Sequence, residues 1–456
     1  MKIPKQQHVI LIGAGLAGSL LAIYLAKRGF SVDIYERRPD LRKHTMSAGR
    51  SINLALSARG IHALKEVGLY DDIMRIAIPM RGRMIHSVKG DRVFQPYGKD
   101  DSEFINSVSR AQLNSRMMDL AEMHPGVAIH FQQRCTGMDF ESGLVRVVDE
   151  PSGNSYTVRG DTVIGTDGSA SAIRSDMMKT GRFNYSQSYL EHGYKELVIT
   201  PTAEGSFAMD HHSLHIWPRN SYMLIALPNM DKTFTCTLFF PFEGLLSFAS
   251  LDSPSAVHDF FKEQFPDALQ LMPTLTEDFF TNPTGALMTV RCEPWHVEGA
   301  AALLGDACHA MVPFFGQGMN CAFEDCTVLN ACIGEFGDDW KSVYKAYHVQ
   351  RKRNADAISE LALENFVEMR DLVADPHFLL MKQVGLELEQ RFPEWFVPKY
   401  SMVTFHRIPY AVALERGRIQ DSILSTLCSG IQGMEQVDWT LARDLVTRKL
   451  TQFSHA

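Results

Sequence analysis

The feature that most restricts the fold is a glycine turn set between two hydrophobic patterns. Residues His8 to Ile12 form an apolar run, Gly13-Ala14-Gly15-Leu16-Ala17-Gly18 interrupts it, and helical spacing runs from Leu16 to Arg28 before Gly29. Ser31 to Tyr35 then alternates polar and apolar residues, as a strand does, and ends at Glu36-Arg37-Arg38. Strand, turn, helix and strand make a βαβ unit. In such a unit Gly13 makes the tight turn, Gly15 lets backbone approach a pyrophosphate, and Gly18 lets helix and strand pack closely. The phosphates rest on the helix N-terminus. Glu36, at the end of the second strand, is placed to accept hydrogen bonds from an adenosine ribose. The pattern predicts dinucleotide binding but does not separate FAD from NAD, because both present the same ADP half.

Helical spacing returns at Ser57 to Glu66 and at Ser109 to His124, the second opened by Ser109 as a cap. Val145 to Gly168 reads as strands ending in Thr166-Asp167-Gly168. From Tyr185 the chain turns β-rich, with strands expected at Leu214 to Trp217, Tyr222 to Leu227 and Phe234 to Phe240. Ala301 to Leu304 is again a Rossmann-like strand, followed by Gly305-Asp306 and a helix near Asn320 to Asn330. A long helical pattern begins at Trp340 and reaches Leu372. The expected class is therefore α/β: a Rossmann-type nucleotide domain in three segments (1–75, 101–182 and 286–337), a β-sheet substrate domain in two (76–100 and 183–285), and a C-terminal helical unit (338–456). A chain of 456 residues is too long for one core of ordinary size. Hydrophobic residues at 45% and charged residues at 21% argue against disorder.

The formal net charge of -8 offers no general attraction to polyanions, so no nucleic-acid partner is expected. The eight cysteines form no C-x-x-C pair and are read as reduced thiols of a cytoplasmic protein. The start, Met1 to His8, lacks the architecture of a signal peptide. No window reaches the ~18 apolar residues of a spanning helix, and charges recur to the end (Glu415, Arg416, Asp421, Asp438, Arg448), so no membrane anchor is expected. His211, His212 and His215 lie close in sequence, but in an extended strand His211 and His212 point to opposite faces and nothing nearby completes a ligand set. No metal is expected.

Leu303 to Ala310 together with Pro313 to Asn320 resembles the second FAD motif of the single-component FAD-dependent aromatic hydroxylases, and Asp167 to Arg174 resembles that family's short Asp-Gly segment. With the first glycine turn, three motifs stand in the family's order. The resemblance implies noncovalent FAD, with Asp306 on a ribityl hydroxyl, backbone near Met319 and Asn320 at the flavin ring, and Asp167 serving both FAD and NADPH. The chain has no second Gly-x-Gly-x-x-Gly unit, so NADPH is expected as a transient co-substrate.

At a finer grain, Gly49 to Ser57, Ile78 to His86, Leu214 to Asn220, Phe234 to Phe239, Val312 to Asn320 and Met402 to Phe405 are similar to the branch of that family that hydroxylates kynurenine. The similarity runs to about Tyr410 and fades in the final helices, where eukaryotic members carry a membrane anchor. It implies substrate contacts at Arg83, Tyr97, Asn365 and Tyr400. It implies FAD contacts at Ala17, Tyr35, Glu36, Arg37, Arg38, Ala55, Arg110, Cys135, Asp306, Met319 and Asn320. Cys135 stands where the family usually has an aliphatic residue. Candidate walls of the ring pocket are Leu214, Ile216, Phe240, Pro313, Phe314, Phe315 and Gln317. The implied reaction converts L-kynurenine to 3-hydroxykynurenine with NADPH and O2 through a flavin hydroperoxide, in tryptophan catabolism. The substrate's aniline nitrogen already donates electron density to the ortho carbon, so no protein acid or base is expected to be catalytic, and the chemistry is the cofactor's. Monomer and homodimer both remain open.

Overall fold

The computed structural model describes residues 7–43, 53–372 and 375–453. Met1 to Gln6, and the Gly49 to Ile52 part of one quoted segment, lie outside the described residues. The chain divides into two compact units: Met1–Ile76, Val108–Leu190 and Leu287–Ser359 form the first, and Ala77–Ser107, Glu191–Ala286 and Glu360–Ala456 the second. Residues 338–456, expected as a helical unit of their own, are shared between them, with the change at Ser359.

The first unit is built on a six-stranded sheet whose order is His296–Val297, Ala301–Leu303, Thr162–Gly165, His8–Ile12, Ser31–Glu36 and Val127–Phe131. All neighbours run parallel except the short edge strand His296–Val297. His8–Ile12 sits inside the sheet and is buried along almost its whole length, which explains its unbroken apolar run. The helix Leu16–Lys27 crosses from it to Ser31–Glu36 and packs against the helices Arg110–Glu122 and Gly318–Phe336. Ser109 caps Arg110–Glu122 through its hydroxyl, which accepts from the Gln112 amide, as the sequence implied. Within this unit Asp325 is fully buried and satisfied: it takes His309 Nε2 at 2.6 Å and Arg351 Nε at 2.7 Å.

The second unit carries a seven-stranded sheet in the order Gly285–Glu293, Asn184–Ile199, Phe234–Pro241, Met223–Pro228, Ser213–Pro218, Gly82–His86 and Arg92–Pro96. Strand register decides which side chains share a face. Arg83 stands opposite Leu214, Ile85 opposite Ile216, Ile216 opposite Ile225, and Ile225 opposite Thr237, so these residues look out of one face. Trp217, Leu224, Leu238 and Phe240 look out of the other, onto a core shared with Phe260 and Phe261 of the helix Pro254–Gln264.

On that second face a buried polar chain links Asp267 to His86 Nδ1 (2.7 Å), His86 Nε2 to His215 Nδ1 (2.9 Å), and His215 Nε2 to the Asp210 carbonyl (2.7 Å). His211 and His212 do not point to opposite faces, because the strand begins only at Ser213; both lie in the preceding turn, with ring centroids 4.0 Å apart. The helices Pro376–Arg391, Lys399–Thr404, Tyr410–Leu427 and Trp439–Lys449 follow, and a core including Val384, Leu388, Phe396, Ile423 and Val446 draws on three of them.

Candidate functional site

In the first unit the glycine turn meets the demands of a dinucleotide. Gly13 has φ +100, and a Cβ there would stand 2.8 Å from the Thr166 carbonyl. Gly15 faces open space, and as N-cap of Leu16–Lys27 it brings no capping side chain, which leaves the first-turn amides to an incoming anion. Glu36 closes the next strand; its Oε2 accepts the Ala14 amide and its Oε1 the Arg38 amide, each at 2.9 Å. The carboxylate expected on a ribose therefore also braces the turn.

Tyr35 is buried and stacked on His130, while Arg37 and Arg38 are exposed beyond it. Arg110 is exposed at the start of its helix. Cys135 is buried on the strand Gln133–Asp139, and burial pushes its thiol up to about 12.

Asp306 opens the short helix Asp306–His309 with its side chain exposed. The preceding Gly305, at φ +66, lies so close to Ala17 and Ala322 that a Cβ would stand 3.6 and 3.2 Å from their methyl carbons. Asp306 is thus held beside Ala17.

Asn320 is fully buried; its Oδ1 accepts the Ser57 amide (2.9 Å), and its Nδ2 donates to the carbonyls of Ala55 (2.8 Å) and Gly316 (2.9 Å). Its side chain clips the Ala55 strand to the Pro313–Gly316 turn, so any cofactor contact at Asn320 and half-buried Met319 falls to backbone. Gln317 donates to Ser57 Oγ at 3.2 Å; Phe314 and Phe315 are buried, and Pro313 is exposed.

Asp167 accepts the Ala172 amide at 2.7 Å through Oδ2, its Oδ1 is buried with no hydrogen-bond partner among the described residues, and burial raises its carboxyl. An uncapped helix terminus at an open glycine, together with this orphaned acceptor, fits a bound dinucleotide.

In the second unit Arg83 lies between two aromatic rings. Its Cζ stands 5.6 Å from the Tyr97 centroid and 5.1 Å from that of Tyr400, and those rings stack at 5.4 Å with 10° between planes. Arg83 Nη1 reaches Glu368 Oε1 at 3.6 Å, and Lys382 Nζ reaches the same oxygen at 3.1 Å. Burial works against the charge on both Arg83 and Glu368. The neighbours prevail: Tyr400, Tyr97 and Glu368 hold the guanidinium above its ordinary value, and Lys382 and Arg83 hold the Glu368 carboxyl below its own. Two cations share one carboxylate, so the trio keeps one uncompensated positive charge. Arg83 Nε and Tyr97 Oη are buried with no hydrogen-bond partner among the described residues, which suits an incoming acceptor. Asn365 is buried one helical turn before Glu368.

Ile216 and Leu214 share the sheet face of Arg83. Phe240 does not: it packs among Tyr222, Phe248 and Phe260 on the opposite face, so its place as a pocket wall is withdrawn.

Residues 6–362 match the FAD binding domain family. The chain is 52% identical to the kynurenine 3-monooxygenase of Myxococcus xanthus, over 98% of this chain and 97% of that one. It is 44% identical to the kynurenine 3-monooxygenase of Dictyostelium discoideum, over 99% and 100% of the two chains. The chain belongs to the kynurenine 3-monooxygenase family.

Among solved structures, the tetrameric form of 2-methyl-3-hydroxypyridine-5-carboxylic acid oxygenase shares the fold, with a TM-score of 0.66 at 19% identity, covering 82% of this chain and 96% of that one. Pseudomonas aeruginosa PqsL in complex with 2-aminobenzoylacetate does so with a TM-score of 0.65 at 18% identity, over 80% and 97%. Likeness to the kynurenine 3-monooxygenase family extends well past Tyr410, where it was expected to fade, since 98% of the chain aligns with the Myxococcus relative. Among the described residues no helix is long and apolar enough to cross a membrane.

Two members of the charged cluster, Glu368 and Lys382, lie outside every sequence segment that pointed to this kynurenine 3-monooxygenase assignment. The spacing of Glu368 three residues after Asn365 was the one available signal, because such residues share a helix face.

Proposed function

We propose that this chain converts L-kynurenine to 3-hydroxykynurenine with NADPH and O2, as a step in tryptophan catabolism. The observation that carries the reading is the buried Arg83 between Tyr97 and Tyr400, with its uncompensated positive charge, in a chain so similar to named kynurenine 3-monooxygenases. Bound FAD supplies reduction by NADPH and the activation of O2. It is held noncovalently by the glycine turn Gly13 to Gly18, by Glu36 and Asp167, and by Asp306 at the ribityl chain.

Arg83 pairs its planar fork of donors with the substrate's α-carboxylate, and the Tyr97 hydroxyl donates a further hydrogen bond. Tyr400 covers the guanidinium from its other side, and Asn365 adds amide donor and acceptor groups. Glu368 keeps Arg83 oriented while no carboxylate is present. Leu214 and Ile216 offer apolar surface to the aromatic ring. The ring needs no deprotonation, because its own amino group enriches the carbon that is hydroxylated, and the residues therefore orient rather than activate. All eight cysteines are free and buried, which supports the cytoplasm as the place of work.

Anaerobic mixing of the FAD-loaded protein with NADPH tests this. Kynurenine should speed the loss of oxidised flavin absorbance, and decarboxylated kynurenine should not. Equal acceleration by a simple phenol would favour a different aromatic substrate.

A further inference from the structure

Away from Arg83, the second unit gathers three metal-ligating side chains from segments distant in sequence. Glu103 follows Tyr97 in the connection after Arg92–Pro96. Glu389 lies in the last turn of Pro376–Arg391. His406 comes just after Lys399–Thr404, the helix that carries Tyr400. Each offers one ligand atom, and the three atoms lie within 4.8 Å of one another. Glu103 Oε1 and His406 Nε2 are 3.4 Å apart. Ligands at ~2.0–2.2 Å from a tetrahedral Zn2+ stand roughly 3.2–3.6 Å from each other, so rotamer-scale movement closes the set.

The burial of the two carboxylates calls for a partner. Glu389 is 2% exposed, and its Oε2 has no hydrogen-bond partner among the described residues. Glu103 is 6% exposed and gives its Oε2 to the Lys99 amide at 3.1 Å, which leaves Oε1 toward His406. Besides these, the charged groups facing Glu389 are Lys99 and Asp100, of opposite sign. Two carboxylates and a neutral imidazole carry a charge that one divalent cation cancels, and a buried carboxylate without such a partner is costly. The His406 side chain is 38% exposed and provides an entry path. The comparable trio His309, Cys321 and Asp325 differs, because Arg351 already neutralises its carboxylate.

We propose that Glu103, Glu389 and His406 bind one divalent cation of the Zn2+ class, which fastens the Tyr97 connection, the Tyr400 helix and the helix Pro376–Arg391 to one another. Oxygen, oxygen and imidazole nitrogen suit Zn2+, and three protein ligands leave a fourth position for water. Glu103, Glu389 and His406 act on the substrate only by positioning Tyr97 and Tyr400. The cation site stands on geometry alone, whereas its effect on kynurenine rests on the reading given above.

The test uses the full-length FAD-loaded protein, stripped with EDTA, desalted and titrated with zinc chloride under equilibrium dialysis. The parent should take up one Zn2+ per chain and unfold at a higher temperature with it. Glu389→Gln and His406→Ala should each weaken uptake by about tenfold to a hundredfold or more. If Glu389→Gln fails to retain FAD, His406→Ala decides alone.

Uptake unchanged in the variants would place the ion elsewhere and overturn the site. So would the lack of saturable uptake by the parent, including the case in which Glu389→Gln stabilises metal-free protein, which would identify a proton shared by Glu103 and Glu389. Stripping should also raise KM for kynurenine, and Zn2+ should restore it. Intact uptake with unchanged KM would overturn the positioning role while leaving the kynurenine reading untouched.

Discussion

Arg83 Nη1 stands 3.6 Å from Glu368 Oε1, and Lys382 competes for the same oxygen at 3.1 Å. The guanidinium is thus oriented without being fully neutralised, and an acidic ligand meets a cation already in place.

Arg83→Ala should raise KM for kynurenine by roughly 10- to 150-fold, the equivalent of about 1.5–3 kcal/mol for a charge-assisted hydrogen bond. FAD content should stay normal, because Arg83 belongs to the unit that lacks the glycine turn. Arg83→Lys should recover only part of the loss, since an ammonium lacks the fork. Steady-state kinetics with a flavin absorbance check decides it, and an unchanged KM would remove Arg83 from the substrate site.

Glu368→Gln leaves Arg83 and Lys382 without their shared counter-charge. We expect the free protein to lose roughly 1–3 kcal/mol of stability. Kynurenine should then stabilise the variant more than the parent, because its carboxylate supplies the missing charge. Thermal unfolding with and without kynurenine measures both effects, and an equal gain in the two proteins would argue against a carboxylate beside Arg83.

Asp306→Ala should weaken FAD by roughly 1–3 kcal/mol, about 5- to 150-fold in Kd. Titration of the apoprotein with FAD provides the measurement. Unchanged affinity would show that Asp306 does not hold the cofactor.

The polar chain behind the second sheet predicts an acid limb in stability. Burial, with His86 adding to it, pushes His215 down to about 4 from the ordinary 6.5. A histidine depressed in the folded state contributes stability that is full above its unfolded value and is lost as pH falls through its folded value. Folding should therefore weaken between about pH 6.5 and 4, by roughly 3 kcal/mol at most from this group. Urea unfolding across that range should give a shallower slope for His215→Asn than for the parent, and identical slopes would assign the acid limb to other groups.

The βαβ start was legible in the sequence because each of its constraints is local: the glycines, the buried central strand and Glu36 all act within one short stretch. The strands Ser213–Pro218, Met223–Pro228 and Phe234–Pro241 were legible for the same reason, through alternation and turn residues. What alternation alone did not reveal was the register between strands. Ile216 and Phe240 looked equally suited to a pocket wall until pairing set them on opposite faces. Arg83, Tyr97 and Tyr400 became candidates only through resemblance to a family, since composition and spacing give no reason for two distant tyrosines to flank one arginine. Glu368 and Lys382 were missed because ion pairs across distant helices leave no periodic trace.

The helix Trp340–Val367 ends in a π-helical turn, Glu368–Leu372. A π turn holds one residue more than the α turn it replaces, so its sequence is read by length as well as by identity. Deleting any single residue there would let the backbone relax to α geometry and would rotate whatever follows by about 100°. Divergence at these five positions should consequently run through exchange of side chains while insertions and deletions are purged. A designer wishing to move the counter-charge of Arg83 has a tool beside substitution, which is to change the count.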